Sequence, residues 1–466
     1  MDKYDNRRMV RLTKEMVIFS PQGMLGYGYP ETSLENGLAY HPDVIAVDAG
    51  STDGGPHRLG MGIGGVSDYA TKKDLAPLIK ASKERDIPLI IGSAGGSGAN
   101  HRVDALRDLV HEIGTDENLE LRTTCIYADI SVETFQSKWK QGHVMPCGIG
   151  PTISERIIDD TIALVGQMGV EPIVKALKEK PDIIIAGRAY DPVLFAALPI
   201  LKGYDEALSL HLGKILECGA LAATPGTAKD GMIGILRDDH FLVSPTNDDR
   251  ACTVESVASH TLYEKSHPYR LPGPGGLLNL EDCQFKQIDD RTVRVTGSRF
   301  IRDLTYTVKV EGVRKTGYRT VFIAGARDPL FIKQYKTIKQ QAIDEVKSYF
   351  PEVANGTANI ALKSYGINGV LGALETNEDI PYEIGIVAEV TAPSQESANN
   401  IAAYFRSVMM HLDYPNRIST SGNLALPFAP PEFPAGETFE FSIYHLMEVD
   451  DGQSLFPMNT KVLGRT

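Results

Sequence analysis

The chain reads as α/β: a Rossmann-like parallel sheet with helices on both faces over residues 1–230, followed by a smaller α+β region over residues 231–466. Three observations predict this. Short apolar runs recur through the first half, and each ends at small or polar residues. Segments with apolar residues at helical spacing separate them. After about Gly231 the pattern turns to short alternating strands with fewer helices.

The strand-like runs lie at 16–19, 44–47, 89–91, 123–128 and 183–186. Residues 74–85 and 103–113 read as helices, the second because Val103, Leu106, Leu109, Val110 and Ile113 share one face. Thr152-Ile153-Ser154-Glu155 has the form of a capping box, and predicts a helix with Ile153, Ile157, Ile158, Ile162 and Val165 on its apolar side. Another helix is expected over 205–218. In the second region, strands are expected at 292–295, 306–310 and 439–447, and helices at 336–349 and 395–412. The Pro/Gly stretch 271–276 is a loop by which this region is expected to close over the site.

Composition removes several function classes. A formal net charge of −13, with no basic run carrying interleaved aromatics, argues against a nucleic-acid partner. No segment approaches the roughly 20 continuous apolar residues of a membrane span, and the first residues lack the apolar core of a secretory signal, so a cytoplasmic, membrane-free protein is expected. The five cysteines form no CxxC pair and signal neither a disulfide framework nor a structural zinc site. No GxSxG, HExxH, P-loop or kinase signature appears.

In an open parallel sheet the ligand lies beyond the carboxyl ends of the strands, so the residues directly after each run are the candidates. Gly92, Ser93, Gly95, Gly96 and Ser97, together with Gly98, form a glycine-rich turn ahead of a helix, where bare amides and the helix dipole suit a carboxylate or phosphate. Its spacing does not match GxGxxG, which weakens a dinucleotide reading. Asp48, Asp53 and His57 follow the second run and suit proton transfer beside a carbonyl, or a divalent metal; capping of a tight loop is the competing role for the two acids. Arg188 is placed to clamp an anion with Tyr190 and Asp191 beside it, or alternatively to form an ion pair with Asp191 or another loop acid. Asp129 ends another run and would suit a hydroxyl of the ligand. Cys147 precedes the capping box, where a helix N-terminus would lower its pKa, although an inert thiol is the simpler reading.

These residues point to a catabolic enzyme, a hydratase-type lyase acting on a small carboxylate or acyl-CoA. The glycine loop and Arg188 would hold the anionic end, Asp53 and His57 would move the proton, and Asp48 would orient the histidine or hold a metal. A non-catalytic ligand-binding subunit and a nucleotide-binding oxidoreductase are the alternatives, and a homo-oligomer is expected.

The chain resembles the acyclic terpene utilisation A family. The resemblance rests on Ser20-Pro21-Gln22-Gly23-Met24-Leu25-Gly26-Tyr27-Gly28, Val47-Asp48-Ala49-Gly50-Ser51-Thr52-Asp53, Gly92-Ser93-Ala94-Gly95-Gly96, Ala186-Gly187-Arg188-Ala189-Tyr190-Asp191 and His267-Pro268-Tyr269-Arg270, and extends to about Ile288. It implies a role in the breakdown of citronellol- and geraniol-type acyl-CoAs. The branch resembled implies a two-component enzyme working beside a short companion protein.

Overall fold

The structure, a computed structural model, describes residues 14–263, 266–418 and 421–465. The chain forms two compact units: one runs to Arg314 and resumes at Phe441, and the other comprises Lys315–Glu440. The first unit begins with β1 (Met16–Ser20), α1 (Glu31–Ala39), β2 (Val44–Asp48), α2 (His57–Met61), α3 (Asp68–Arg85), β3 (Leu89–Gly92), α4 (Asn100–Asp116) and β4 (Glu120–Ile126). It continues through α5 (Val132–Lys140), β5 (Val144–Pro146), α6 (Glu155–Asp159), β6 (Thr161–Gln167), α7 (Glu171–Lys178), β7 (Ile183–Ala186), α8 (Val193–Leu201) and α9 (Glu206–Leu216). There follow β8 (Met232–Leu236), β9 (Phe241–Pro245), α10 (Val254–Leu262), β10 (Arg270–Gly273), β11 (Gly276–Asn279), β12 (Gln284–Gln287), β13 (Val293–Thr296) and β14 (Arg299–Arg302).

β1, β2, β3, β7 and β4 lie side by side and pair in parallel. They are buried on both faces, and successive residues divide between two cores. Ile18, Ala46, Ile90 and Ile184 face one side, while Phe19, Val47, Ile91 and Ile185 face the other. Leu34 of α1, Leu75 and Leu78 of α3, and Val103 and Val110 of α4 cover the second face. Ile173 of α7, Leu194 of α8 and Leu212 of α9 cover the first.

This division follows from the strand order. The chain steps one way across the sheet from β1 through β4, then returns to insert β7 between β3 and β4, and a right-handed crossover places helices of opposite steps on opposite faces. The neighbours β3 and β7 therefore send their following helices apart, which opens a crevice at their carboxyl ends.

The sheet is mixed. β8 pairs antiparallel with β1, and β19 (Met458–Gly464), which the sequence pattern did not disclose, pairs antiparallel with β4. The full order is β12-β13-β9-β8-β1-β2-β3-β7-β4-β19, so strands on both sides of residue 230 share one sheet. A second difference concerns the expected helix after Thr152. Ser154, through its hydroxyl, caps the five-residue α6, and Ile162 and Val165 lie in β6. That segment, rich in β-branched and small residues, pairs with Lys309–Arg314 of β15 (Thr307–Ala326), a tertiary partner that overrides the helical spacing.

In the second unit, the latter part of β15 is followed by α11 (Pro329–Tyr349), α12 (Pro351–Ala354), β16 (Asn359–Tyr365), β17 (Ile384–Ala392), α13 (Gln395–His411) and the first part of β18 (Glu432–Glu448). β16, β17 and β15 pair antiparallel, and Ile384, Ile386, Ala388 and Val390 on the inner face of β17 pack with Phe331, Ile338, Ile401 and Phe405 from α11 and α13. Among the described residues no helix is long and apolar enough to cross a membrane.

The crevice leaves no room at Gly98, whose φ is +67° and whose Cβ, if present, would lie 2.1 Å from the Arg188 amide nitrogen. Gly98→Ala is expected to cost about 3 kcal/mol or more, combining left-handed strain with a backbone clash. Gly142→Ala, at φ +81° with nothing within 4 Å, is expected to cost only about 1–2 kcal/mol. Urea unfolding of both variants checks the contrast.

Candidate functional site

The carboxyl edge of the parallel strands gathers a buried charged cluster. β2 delivers Asp48 at its last position, level with Gly92 of β3, and β7 leads through Gly187 into Arg188. The two loops of the crevice are tied by backbone bonds: Ser93 and Ala94 donate to Gly187 and Ala186 at 3.1 Å each, and Arg188 donates to Gly98 at 3.1 Å. Gly96 and Gly98 donate within the loop, to Ser93 and Ala94. The turn therefore spends on its own folding four of the amides expected to be bare. Gly95 and Ser97 donate no amide hydrogen bond among the described residues, and the Ser97 hydroxyl is buried without a hydrogen-bond partner.

Arg188 is 2% exposed. Its Nε donates to Glu311 at 3.0 Å, and its Nη1 donates to Ala189 O at 2.9 Å and to Ser93 Oγ and Asp191 at 3.3 Å. Lys309 Nζ lies 2.7 Å from the other oxygen of Glu311. Burial alone would lower the Arg188 pKa, but Glu311 and Asp191 outweigh it and hold the guanidinium charged. Burial alone would raise the Glu311 carboxyl, but Arg188 and Lys309 hold it at about 2. The Nε and Nη1 donors of the guanidinium are thus engaged by protein groups, and the ion pair with Asp191 is present. Glu311 and Lys309 were not foreseen. Their signal was two opposite charges two residues apart on a strand, which share one face.

Asp48 is 6% exposed. Its Oδ2 accepts from Gly50 N at 3.1 Å, whereas its Oδ1 is buried without a hydrogen-bond partner among the described residues. Burial raises its pKa well above the usual carboxylate range, with Asp191 and Glu217 adding to the rise and Arg188 and the Gly50 amide opposing it. Nearby, Lys214 donates to Glu217 at 2.5 Å. Three carboxylates, Asp191, Glu217 and Glu311, then face three cations, Arg188, Lys214 and Lys309. A protonated, neutral Asp48 leaves this cluster balanced.

The remaining candidates lie in several settings. Tyr190, its phenol pushed up by burial and then by Glu217, lines a small pocket with Val193, Leu210, Leu271 and Phe300 on its apolar side and Glu171, Glu206 and Arg302 on its charged side. Asp53 is exposed and accepts from Ser51 Oγ at 2.8 Å, the turn-stabilising role; His57 is exposed and opens α2. Asp129 accepts from Asn100 N at 2.8 Å, so a carboxylate already sits at the start of α4. A pyrophosphate there would meet like charge, which weighs against the dinucleotide reading. Cys147 donates its amide to Tyr444 O, well ahead of α6, and so lacks the helix-end setting expected of it. Among the described residues no three His, Cys, Asp or Glu side chains are grouped to hold a metal ion.

Arg188→Met should strand the buried carboxylate of Glu311, leave the partly exposed Asp191 without this partner, and cost about 3–5 kcal/mol in urea unfolding. Asp53→Asn should stay within about 0.5 kcal/mol. A raised carboxyl pKa gives stability that is complete below the ordinary carboxylate range and is lost as pH rises through the raised value. Asp48→Asn lacks that titration, so its unfolding midpoint should gain on the wild type as pH is raised from about 5 to about 9.

Neither a curated protein nor a solved structure gives a significant match to the chain. Residues 68–416 match the model of the family described as acyclic terpene utilisation family protein AtuA. That span includes the glycine turn, Arg188, Asp191, Glu217 and Glu311, and takes in most of the chain, which therefore belongs to the AtuA family.

Proposed function

We propose that this protein is a catabolic hydratase-type lyase acting on a small carboxylate or acyl-CoA at the carboxyl edge of its parallel strands. Family membership supports a catabolic role in terpene utilisation. The observation that carries the reading is Asp48: a buried carboxyl with one oxygen unengaged, favoured in its neutral form, beside a charge-balanced cluster. A carboxylic acid kept protonated can donate a hydrogen bond to a carbonyl oxygen as negative charge develops on it. The pocket beside Tyr190 offers apolar surface for the rest of an acyl group.

In the hydration direction, water adds its hydroxyl to one carbon of the double bond and a proton to the other; the reverse step expels water. Asp53 and His57, exposed on the loop after β2, are the groups assigned to move the proton. Asp48 takes the carbonyl end, and the Arg188 network holds it there. Arg188 takes part as a positioning group through Nε and Nη1, which protein groups already engage. No step requires a metal, and the Rossmann-like character of the sheet enters only through the position of the crevice.

A second reading, a ligand-binding subunit that leaves the chemistry to a short companion or to another copy of the chain, is favoured by the mutual saturation of the charged groups around Asp48.

The test is loss of conjugated absorbance from crotonate, crotonyl-CoA and fumarate with the purified chain. Turnover is expected for the wild type. Asp48→Asn and His57→Asn should each lose about 10²–10⁴ in kcat while remaining folded. Thermal stabilisation by these compounds without turnover would replace the hydratase reading with the subunit reading, and unchanged kcat in Asp48→Asn would remove Asp48 from the site.

A further inference from the structure

Gln22 is fully buried, yet both its side-chain nitrogen and its side-chain oxygen lack a hydrogen-bond partner among the described residues. A buried carboxamide with neither end engaged is costly, and native interiors leave few such groups without an occupant to satisfy them. Its place in the fold says what that occupant meets. β1 and β2 pair in parallel with Phe19 opposite Ile45, and Gln22 follows two residues after β1 ends, at the same carboxyl edge where β2 delivers Asp48. The segment after Gln22 stays against β2, since Leu25 N donates to Asp48 O at 2.8 Å.

On its other side lies the end of α9. Ser20 Oγ donates to Leu216 O at 2.8 Å, and a Cβ on Gly219 would stand 2.9 Å from the Gln22 carbonyl carbon. The Gln22 backbone therefore lies against the turn that follows α9.

We propose that Gln22 is a substrate-binding residue that recognises a hydroxy-acyl group, its amide N–H donating to the carbonyl oxygen and its amide oxygen accepting from the hydroxyl. A carboxamide presents one donor and one acceptor in a single plane, which matches a carbonyl and a hydroxyl on nearby carbons and matches only half of the dehydrated, unsaturated partner. Asp48 Oδ1, unengaged at the same edge, supplies a second contact to the carbonyl. The inference rests on reading this edge as the substrate site. It adds that the hydroxylated member of the reacting pair is held more tightly than the alkene.

The experiment measures binding by calorimetry and thermal shift for the full chain, using malate, 3-hydroxybutyrate and 3-hydroxybutyryl-CoA beside fumarate, crotonate and crotonyl-CoA. Wild type should bind at least one hydroxy compound more tightly than its unsaturated partner. Gln22→Met, of similar volume and without polar atoms, should weaken the hydroxy compound at least about tenfold and change the alkene less. The same variant should unfold at an equal or higher urea concentration in the absence of ligand, because it removes an unsatisfied buried amide; a structural role would make it less stable.

Equal affinities in wild type and Gln22→Met, or no binding of any of the six compounds, would overturn the assignment. The two proposals fail separately. Gln22-dependent binding without turnover removes the hydratase reading and keeps Gln22; turnover of crotonyl-CoA with unchanged affinity for 3-hydroxybutyryl-CoA in Gln22→Met does the reverse.

Discussion

The ion network centred on Arg188 is the constraint on which the candidate site depends. A guanidinium with 2% exposure is tolerable only where its charge is met within the protein, and Glu311 and Asp191 meet it from a distant strand and from the same loop. Because Arg188 also receives its place from Gly98, through a backbone bond and a contact that excludes any side chain, the network fixes the β3 and β7 loops to one another. The crevice created by the strand order is thereby made rigid at the level where Asp48 ends β2.

The same network sets the protonation of its neighbours. Glu311 stays ionised despite burial because two cations face it, whereas Asp48 is pushed toward its neutral acid by burial and then by Asp191 and Glu217, against Arg188 and the Gly50 amide. Two carboxyls in one buried cluster thus differ in charge through their surroundings alone. The carboxyl edge thus holds a buried acid and a buried carboxamide with unengaged polar atoms.

The glycine turn serves this arrangement through its backbone. Four of its amides are used to fold the turn onto β7, so its contribution is close approach: Gly50 would place a Cβ 2.6 Å from Gly96 Cα, and Gly98 would place one against Arg188. Asp129 completes the turn's exit by capping α4. The glycines bring three loops within backbone contact.

Local pattern by itself determined the five parallel strands, the helices α3 and α4 and the set of residues that follow each strand, because apolar runs closed by small residues and helical spacing are properties of contiguous sequence. It also singled out Asp48, Arg188 and Asp191, which the fold brings to one charged cluster. Tertiary structure alone decided that β6 is a strand, since its partner β15 lies far along the chain, and that β8 and β19 extend the sheet antiparallel. It alone brought Glu311 and Lys309 to Arg188, left Asp53 and His57 exposed on their loop, and showed Gln22 buried with both ends of its amide unengaged. The reason is the same in each case: hydrogen-bond satisfaction and burial belong to pairs of residues distant in sequence, and no local pattern records whether a polar group will find its partner.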